Sequence, residues 1–379
     1  MTPVSGLVRE NCPRLARQTI VLRMAKRICY IHIGPHKTGT SSIQWFLKEN
    51  RAELLKYGYF VPDSGTIHGG HHAIVRKLCG QELRDHQQSA AAKFARALND
   101  TPSEVIVISS EALEGLLTNR DYAKIFFTRI GELNLEPKLV LFPRNQSQSI
   151  NSRYSEVVKG FQESESFQAF ALRVTRDFSV RYSPWIELAD AYDAELIARP
   201  FTRETIARGV VPEFLLAIGI NSSQFGDADI RRNESAGPFT VSVARGVLRS
   251  IGGTGKQLKW LQTVRCKKKL AVYLSEKGLT DTGYCGLTTA LARHIERELQ
   301  SDNDAFARRV WRRPWAEIFA ADIGRECTPN DFEICRPARS TERQLRRAIR
   351  EMTAIAEEVI ADPAVAVEAP WNDLDLLLR

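Results

Sequence analysis

No apolar run in this chain of 379 residues reaches the roughly 18 to 20 residues that a membrane-crossing helix needs. The nearest candidate, Gly209 to Ile220, is interrupted by Pro212 and Glu213, so no membrane span is expected. Cysteine is sparse and scattered. The seven stand at positions 12, 29, 79, 266, 285, 327 and 335, an odd number with no C-x-x-C pair. That argues against a disulfide framework and for reduced thiols in a cytoplasmic protein. Internal repeats and low-complexity segments are absent, and no nucleic-acid motif with interleaved aromatics accompanies the basic residues. Residues 1–27 carry six basic side chains and one acid but no apolar stretch long enough for a secretory leader, and read as a basic extension.

What is present is ordinary globular composition: 43% hydrophobic and 26% charged residues. Fifty-three Lys and Arg against 45 Asp and Glu give a net charge of +8, which favours anionic partners without choosing among them. Short apolar β-prone runs recur at Ile28–Ile33, Val105–Ile108, Leu139–Phe142 and Glu195–Ala198, with a shorter one at Tyr57–Val61. Helical patterns separate them, over Ser41–Leu55, His71–Cys79, Glu82–Leu98 and Ser147–Lys159. Buried-type strands alternating with helices predict an α/β fold, a P-loop-like parallel sheet flanked by helices. Strand signals fade from Val241, and the patterns at Gln257–Leu274, Leu287–Leu299 and Ser340–Ile360 predict a helical C-terminal portion. The expected organisation is the extension 1–27, an α/β core over 28–240, and helices over 241–379 packed on that core.

Ligands of such sheets sit beyond the carboxyl ends of the strands, where Lys37, Glu111 and Arg144 fall. Between the first strand and the next helix lies Gly34-Pro35-His36-Lys37-Thr38-Gly39-Thr40-Ser41-Ser42. Glycines let the backbone curl so that N–H groups converge on an anion, and the helix start adds its positive end. Lys37 supplies a full charge; Thr38, Thr40, Ser41 and Ser42 supply hydroxyls. A Walker A loop places its lysine after the last glycine, whereas here Lys37 precedes Gly39.

This K-T-G-T-S-S order resembles the 5′-phosphosulfate loop of sulfotransferases that use 3′-phosphoadenosine-5′-phosphosulfate, and in particular their bacterial, carbohydrate-type branch. The family's second element, a strand ending in Arg with Ser eight residues later, is matched by Leu139-Val140-Leu141-Phe142-Pro143-Arg144 and Ser152. An Arg forks onto a phosphate and a hydroxyl on the facing helix completes the clamp. Arg153-Tyr154-Ser155-Glu156-Val157-Val158-Lys159-Gly160, Ala198-Arg199-Pro200-Phe201, Arg232-Asn233-Glu234-Ser235 and Ser301-Asp302-Asn303 with Phe306 are also similar to that branch. The resemblance is sharp over 28–160 and loose but collinear to about 320. One departure is Ser42, where small-molecule members of the family carry the aromatic that stacks on adenine.

The resemblance implies transfer of a sulfuryl group from that donor, without a metal, to a hydroxyl acceptor, a carbohydrate or glycoconjugate. Gly34 through Ser42, Arg144 and Ser152 would hold the donor or the product adenosine 3′,5′-bisphosphate, and Lys37 would neutralise the leaving phosphate. Candidates for the base are His68, His71, His72 and Glu111. The two adjacent histidines open a helix, which lowers their pKa. Glu111 could instead belong to a cap of the next helix, with Ser109 or Ser110 as N-cap. Tyr154 and Lys159 could face the acceptor or simply cover the sheet. The run Arg336, Arg339, Arg343, Arg346, Arg347 and Arg350 could bind a polyanion or be a solvated helix face interleaved with Glu342, Glu351 and Glu357. Two rival functions share these features: a P-loop kinase or NTPase, against which stands the strand end Ser109-Ser110-Glu111 in place of a Walker B aspartate, and a noncatalytic polyanion-binding protein.

Overall fold

The computed structural model describes residues 26–34, 37–64, 66, 69–83, 85–225, 235–253, 255 and 258–363. Strand β1 (Arg27–Ile33) runs through the glycine loop into α1 (Thr40–Glu49) and α2 (Arg51–Lys56). The edge strand β2 (Tyr59–Phe60) follows, then α3 (His72–Leu78), α4 (Asp85–Asp100) and β3 (Val105–Ser110). Next come α5 (Ala112–Leu117), α6 (Arg120–Glu132), β4 (Leu135–Leu141), α7 (Gln146–Lys159), α8 (Phe167–Thr175), α9 (Ser183–Ala191) and β5 (Glu195–Ala198). Among the described residues the elements that follow are helices: α10 (Arg203–Arg208), α11 (Val210–Ala217), α12 (Pro238–Gly252), α13 (Trp260–Glu276), α14 (Thr289–Trp311), α15 (Trp315–Ile318) and α16 (Arg339–Ala361), with an isolated bridge between Ala236 and Thr282.

The five strands form one all-parallel sheet in the order β2-β3-β1-β4-β5. The α/β expectation holds. Both faces are covered, and β1 shows why its sequence is apolar almost throughout. Cys29, Ile31 and Ile33 pack into the core under α3, α5, α6 and α9, while Tyr30 and His32 meet the face covered by α1 and α11. Ile33 pairs with Ser110 on one side and Leu141 on the other. The loop after Gly34, Glu111 and Arg144 therefore leave the sheet at the same edge.

The helix expected over Leu287–Leu299 runs on to Trp311, and two further boundary differences have a visible local cause. The helix expected over Ser41–Leu55 is two helices, because Asn50 turns its Nδ2 back to the Phe46 carbonyl (3.0 Å) and breaks the run. Strand β4 begins four residues earlier than Leu139, since Glu136, Pro137 and Lys138 interrupt the apolar pattern without stopping the pairing with β1. The C-terminal helices share a third core with α7 and α8: Ile150, Tyr154 and Val158 of α7 pack with Val243 and Val247 of α12, Cys266 and Leu270 of α13, and Met352 of α16. At its heart Arg245 forks onto Asp331 (2.7 and 3.0 Å) and donates to the Tyr154 hydroxyl (2.8 Å), while Tyr284 donates to Asp331 (2.6 Å). No helix among the described residues is long and apolar enough to cross a membrane.

Candidate functional site

Gly39 occupies the cap position of α1 in the left-handed region, φ 79°, and a Cβ there would lie 2.6 Å from Val210. A Cβ on Gly34 would lie 2.3 Å from the Thr40 hydroxyl, so Thr40 packs directly on the loop backbone. Gly39 has no side chain to cap the first turn of α1, whose Ser42 and Ile43 N–H groups bond the Gly39 carbonyl (3.0 and 3.2 Å). Thr40 Oγ1 is buried and hydrogen-bonds nothing, a donor held in reserve inside the cradle. Ser41 is exposed, whereas Thr38 and Ser42 are buried. Lys37 itself has φ 68°, a left-handed conformation that costs a non-glycine residue about 1 kcal/mol or more. Pro35 and His36 lie outside the described residues, as do His68 and Arg232 to Glu234.

Arg144, three residues past the end of β4, donates from Nη1 to the Lys37 carbonyl (2.9 Å). That bond joins the two sequence motifs directly. The guanidinium stands 5.6 Å from the Phe201 ring. Desolvation lowers its pKa, with Tyr182 and Asp322 acting in the opposite sense. Its backbone is fixed by one phenol: the Tyr182 hydroxyl accepts from Arg144 N–H and donates to Arg144 C=O, both at 2.9 Å. Tyr182 is held in turn by Asp302, which accepts from its N–H at 2.7 Å, and the neighbouring Asn303 makes a reciprocal amide pair with Gln146 at the start of α7. The Asp302-Asn303 dipeptide thus supports the clamp from behind. Phe201 N–H bonds the Pro143 carbonyl (2.7 Å), which gives the Arg199-Pro200-Phe201 segment the same duty.

Arg144 and Ser152 line one cleft of about 420 Å³ together with Gln148, Asn151 and Ser155 of α7. Its opposite wall comes from the C-terminal portion, by way of Tyr284, Cys285, Leu287 and the segment Arg325–Thr328. The cleft wall therefore needs residues far beyond the motifs. Ser152, Glu156 and Lys159 fall at i, i+4 and i+7 on one face of α7. Glu156 is the residue that sequence reasoning missed. Its carboxylate bonds Lys37 (2.9 Å), Lys159 (3.4 Å) and, from α13, Lys267 (3.1 Å). Burial alone would raise its pKa, but the three ammonium groups outweigh burial and pull it down to about 2. The i+4 spacing from Ser152 was a usable signal for Glu156; nothing local pointed to Lys267.

The base candidates separate sharply. His71 is fully buried; its Nδ1 accepts from Ser109 N–H (3.0 Å), which leaves the proton on Nε2, bonded to the Pro62 carbonyl (3.0 Å). Both nitrogens are engaged, so His71 has no lone pair to offer a substrate, and it drops out as a base. Its pKa is lowered to about 4 chiefly by burial, not by the helix start as the sequence suggested. His72, next in sequence, is half-buried, with Nδ1 2.8 Å from Ser110 Oγ. Glu111 occupies the cap position of α5, and its side chain makes no capping hydrogen bond. The hydroxyls of Ser109 and Ser110 bond His32 and His72, so the proposed capping role for this trio is not what the residues do. His32 is a packing residue between Phe142 and Phe214 (5.8 and 5.4 Å), its pKa pushed down to about 3 by burial.

Tyr154 does not face an acceptor. It is fully buried, donating to Glu165 C=O (2.7 Å) and accepting from Arg245. On α16, Glu342 pairs with Arg346 and with Arg336 from the preceding segment, and Glu351 with Arg347, the pattern of a solvated helix face. Among the described residues no group of three or more His, Cys, Asp or Glu side chains is gathered as a metal site. Comparison of the chain with protein-family models, with curated proteins and with solved structures finds no match.

Proposed function

We propose that this chain is a sulfotransferase that moves a sulfuryl group from 3′-phosphoadenosine-5′-phosphosulfate to a hydroxyl, most simply of a saccharide. The observation that carries this is the convergence of Arg144 and Ser152 on one cleft, with Arg144 bonded to the Lys37 carbonyl. A phosphate cradle alone would serve any nucleotide. A second anion clamp at the edge of the cradle calls for a nucleotide with two separated anionic groups.

In the reaction the acceptor oxygen bonds to sulfur as the bond from sulfur to the bridging oxygen breaks. The bisphosphate departs, and the acceptor proton passes to a base. Backbone N–H groups of the loop and the start of α1 hold the phosphosulfate. Lys37 places its ammonium on the bridging oxygen as charge builds there, a contact stronger in the transition state than before it. To do so it must leave Glu156. His72 and Glu111, at the ends of α3 and β3, are the remaining described candidates for the base. The free thiols of Cys29, Cys79, Cys266, Cys285, Cys327 and Cys335 suit a reducing, cytoplasmic setting.

The test is a thermal-shift comparison of adenosine 3′,5′-bisphosphate, AMP, and ATP with magnesium. At a concentration about 100 times Kd, linkage adds about 2.7 kcal/mol to stability. The bisphosphate is expected to give the largest shift, and Arg144→Ala to erase its advantage over AMP, a loss of about 1.5–3 kcal/mol for a charge-assisted contact. A larger shift with ATP and magnesium would transfer the site to the kinase class.

A further inference from the structure

The lysine cluster around Glu156 holds more positive charge than its partner can absorb. Lys37 arrives from the loop after β1, Lys159 from the last turn of α7, and Lys267 from α13. Each ammonium carries three N–H donors, and a single carboxylate cannot occupy them all. Two of the three charges also have no counter-charge within the cluster. The side chains are reachable from solvent, at 26% exposure for Lys159 and 41% for Lys267. Glu156 lies one helical turn from Ser152, so the cluster borders the cleft that Arg144 and Ser152 line. On the sulfotransferase reading, once Lys37 turns to the bridging oxygen, Lys159 and Lys267 remain with Glu156 beside that cleft.

We propose that Lys159 and Lys267 form a second anion subsite, with Glu156 as its displaceable counter-ion, and that it takes a negatively charged group on the acceptor. This rests on the sulfotransferase reading and narrows its substrate class to saccharides bearing a carboxylate or sulfate beside the receiving hydroxyl. The donor is not the intended ligand of the pair. Its phosphosulfate belongs to the loop and its 3′-phosphate to Arg144 and Ser152, so the subsite discriminates among acceptors only. A neutral saccharide would leave Glu156 as the one anion for two ammonium groups and cover donors it cannot match with a charge, which costs affinity.

The experiment uses a matched pair of probes, tetragalacturonate and its methyl ester, which share shape and differ in charge. Each is titrated calorimetrically into the full chain saturated with adenosine 3′,5′-bisphosphate. The acid is expected to bind at least tenfold tighter than the ester. Lys267→Ala should reduce that preference to twofold or less, while Lys269→Ala, which removes the same charge from the same helix away from Glu156, should preserve it. Lys267→Gln repeats the measurement with the side-chain stem retained. Bisphosphate affinity, measured separately, should change less than twofold in all variants. Equal binding of acid and ester, no binding of either, or an unchanged preference in both Lys267 variants overturns the subsite. So does an equal loss in Lys269→Ala, which would mean a diffuse field, or a matching loss of bisphosphate affinity in Lys267→Ala, which would assign the lysine to the donor. If the bisphosphate fails to bind the unaltered chain, the sulfotransferase reading falls instead, whatever the saccharides do.

Discussion

The edge of the sheet and the C-terminal portion contribute to the candidate site in opposite ways. At the sheet edge, chemistry is written in short contiguous segments: Gly34 to Ser42 at the end of β1, and Arg144 to Ser152 at the end of β4. In the helical portion it is contributed by single residues with no local signature, such as Lys267 on α13 or Cys285 and Cys327 on the cleft wall. A motif survives in sequence because backbone geometry, here a left-handed Gly39 and Lys37, demands particular neighbours. A lone side chain brought in by tertiary packing makes no such demand. On the sulfotransferase proposal, acceptor choice would fall to the part that is hardest to read.

The strongest way to break this comparison is to detach the two regions. Asp331→Ala leaves Arg245 charged and buried without its fork, and should cost about 3–5 kcal/mol in a urea titration. Because Tyr154 of α7 shares that network, bisphosphate binding should weaken along with stability. If binding is untouched, the helical portion is an appendage and the cleft wall is dispensable. Replacing the pair together, Arg245→Met with Asp331→Leu, should recover most of the loss.

Lys37→Ala addresses the sheet edge alone. Turnover on an accepted saccharide should fall about 10²- to 10³-fold, the scale of one lost charge-stabilising donor, with a much smaller change in bisphosphate affinity. Abolished binding with unchanged turnover at saturation would make Lys37 a binding residue only.

The neighbouring histidines sharpen the contrast between supporting and acting residues. His71 has a folded-state pKa lowered from 6.5 to about 4, so on acidification the unfolded chain takes up its proton first. Stability should fall between pH 6.5 and 4 by an amount on the order of 1–3 kcal/mol. His32, lowered to about 3, adds to the slope in the same direction. Denaturant midpoints across that window should show a shallower acid limb in His71→Gln, while His72→Gln should leave the limb in place and lower turnover. A turnover loss confined to His71→Gln at constant stability would reinstate it as the base.

The smallest effect is expected at Glu156. Its carboxyl pKa is depressed from 4.5 to about 2 in the folded state, so its stabilisation is complete above pH 4.5 and lost as pH falls toward 2. The group is about one-third exposed, and solvent screening limits its ion pairs to roughly 0.2–1 kcal/mol each. Glu156→Gln should flatten that part of the acid limb. It should also tighten bisphosphate binding by no more than about fivefold, since Lys37 no longer has an ion pair to leave. Weaker binding in this variant would mean that Glu156 orients Lys37 for the donor.

Much of the fold could be read from sequence because β1, β3 and β5 are short apolar runs covered on both faces. The misreadings have local causes. Pro137 hid the first half of β4, and the side-chain bond of Asn50 split a helix whose periodicity looked continuous. At the site, adjacency in sequence misled. His71 and His72 share one motif and one helix start, yet one points into the core toward Pro62 and the other toward Ser110. Burial separates them, and burial is a tertiary property. Lys267 lies 111 residues from Glu156, a pairing that no spacing rule reaches.

The hydrogen bonds from Tyr182 to both backbone groups of Arg144 divide labour within a single residue. The peptide of residue 144 is anchored by the phenol, and through it by Asp302, while the guanidinium alone meets the loop and the cleft. Side-chain identity at this position is insulated from the integrity of the strand end. A lineage could exchange Arg144 for Gln, Ser or Lys and change the charge presented to the cleft without first repairing the scaffold. Position 144 is thus a place where the chemistry offered to the cleft can change in one substitution while the strand end stays intact.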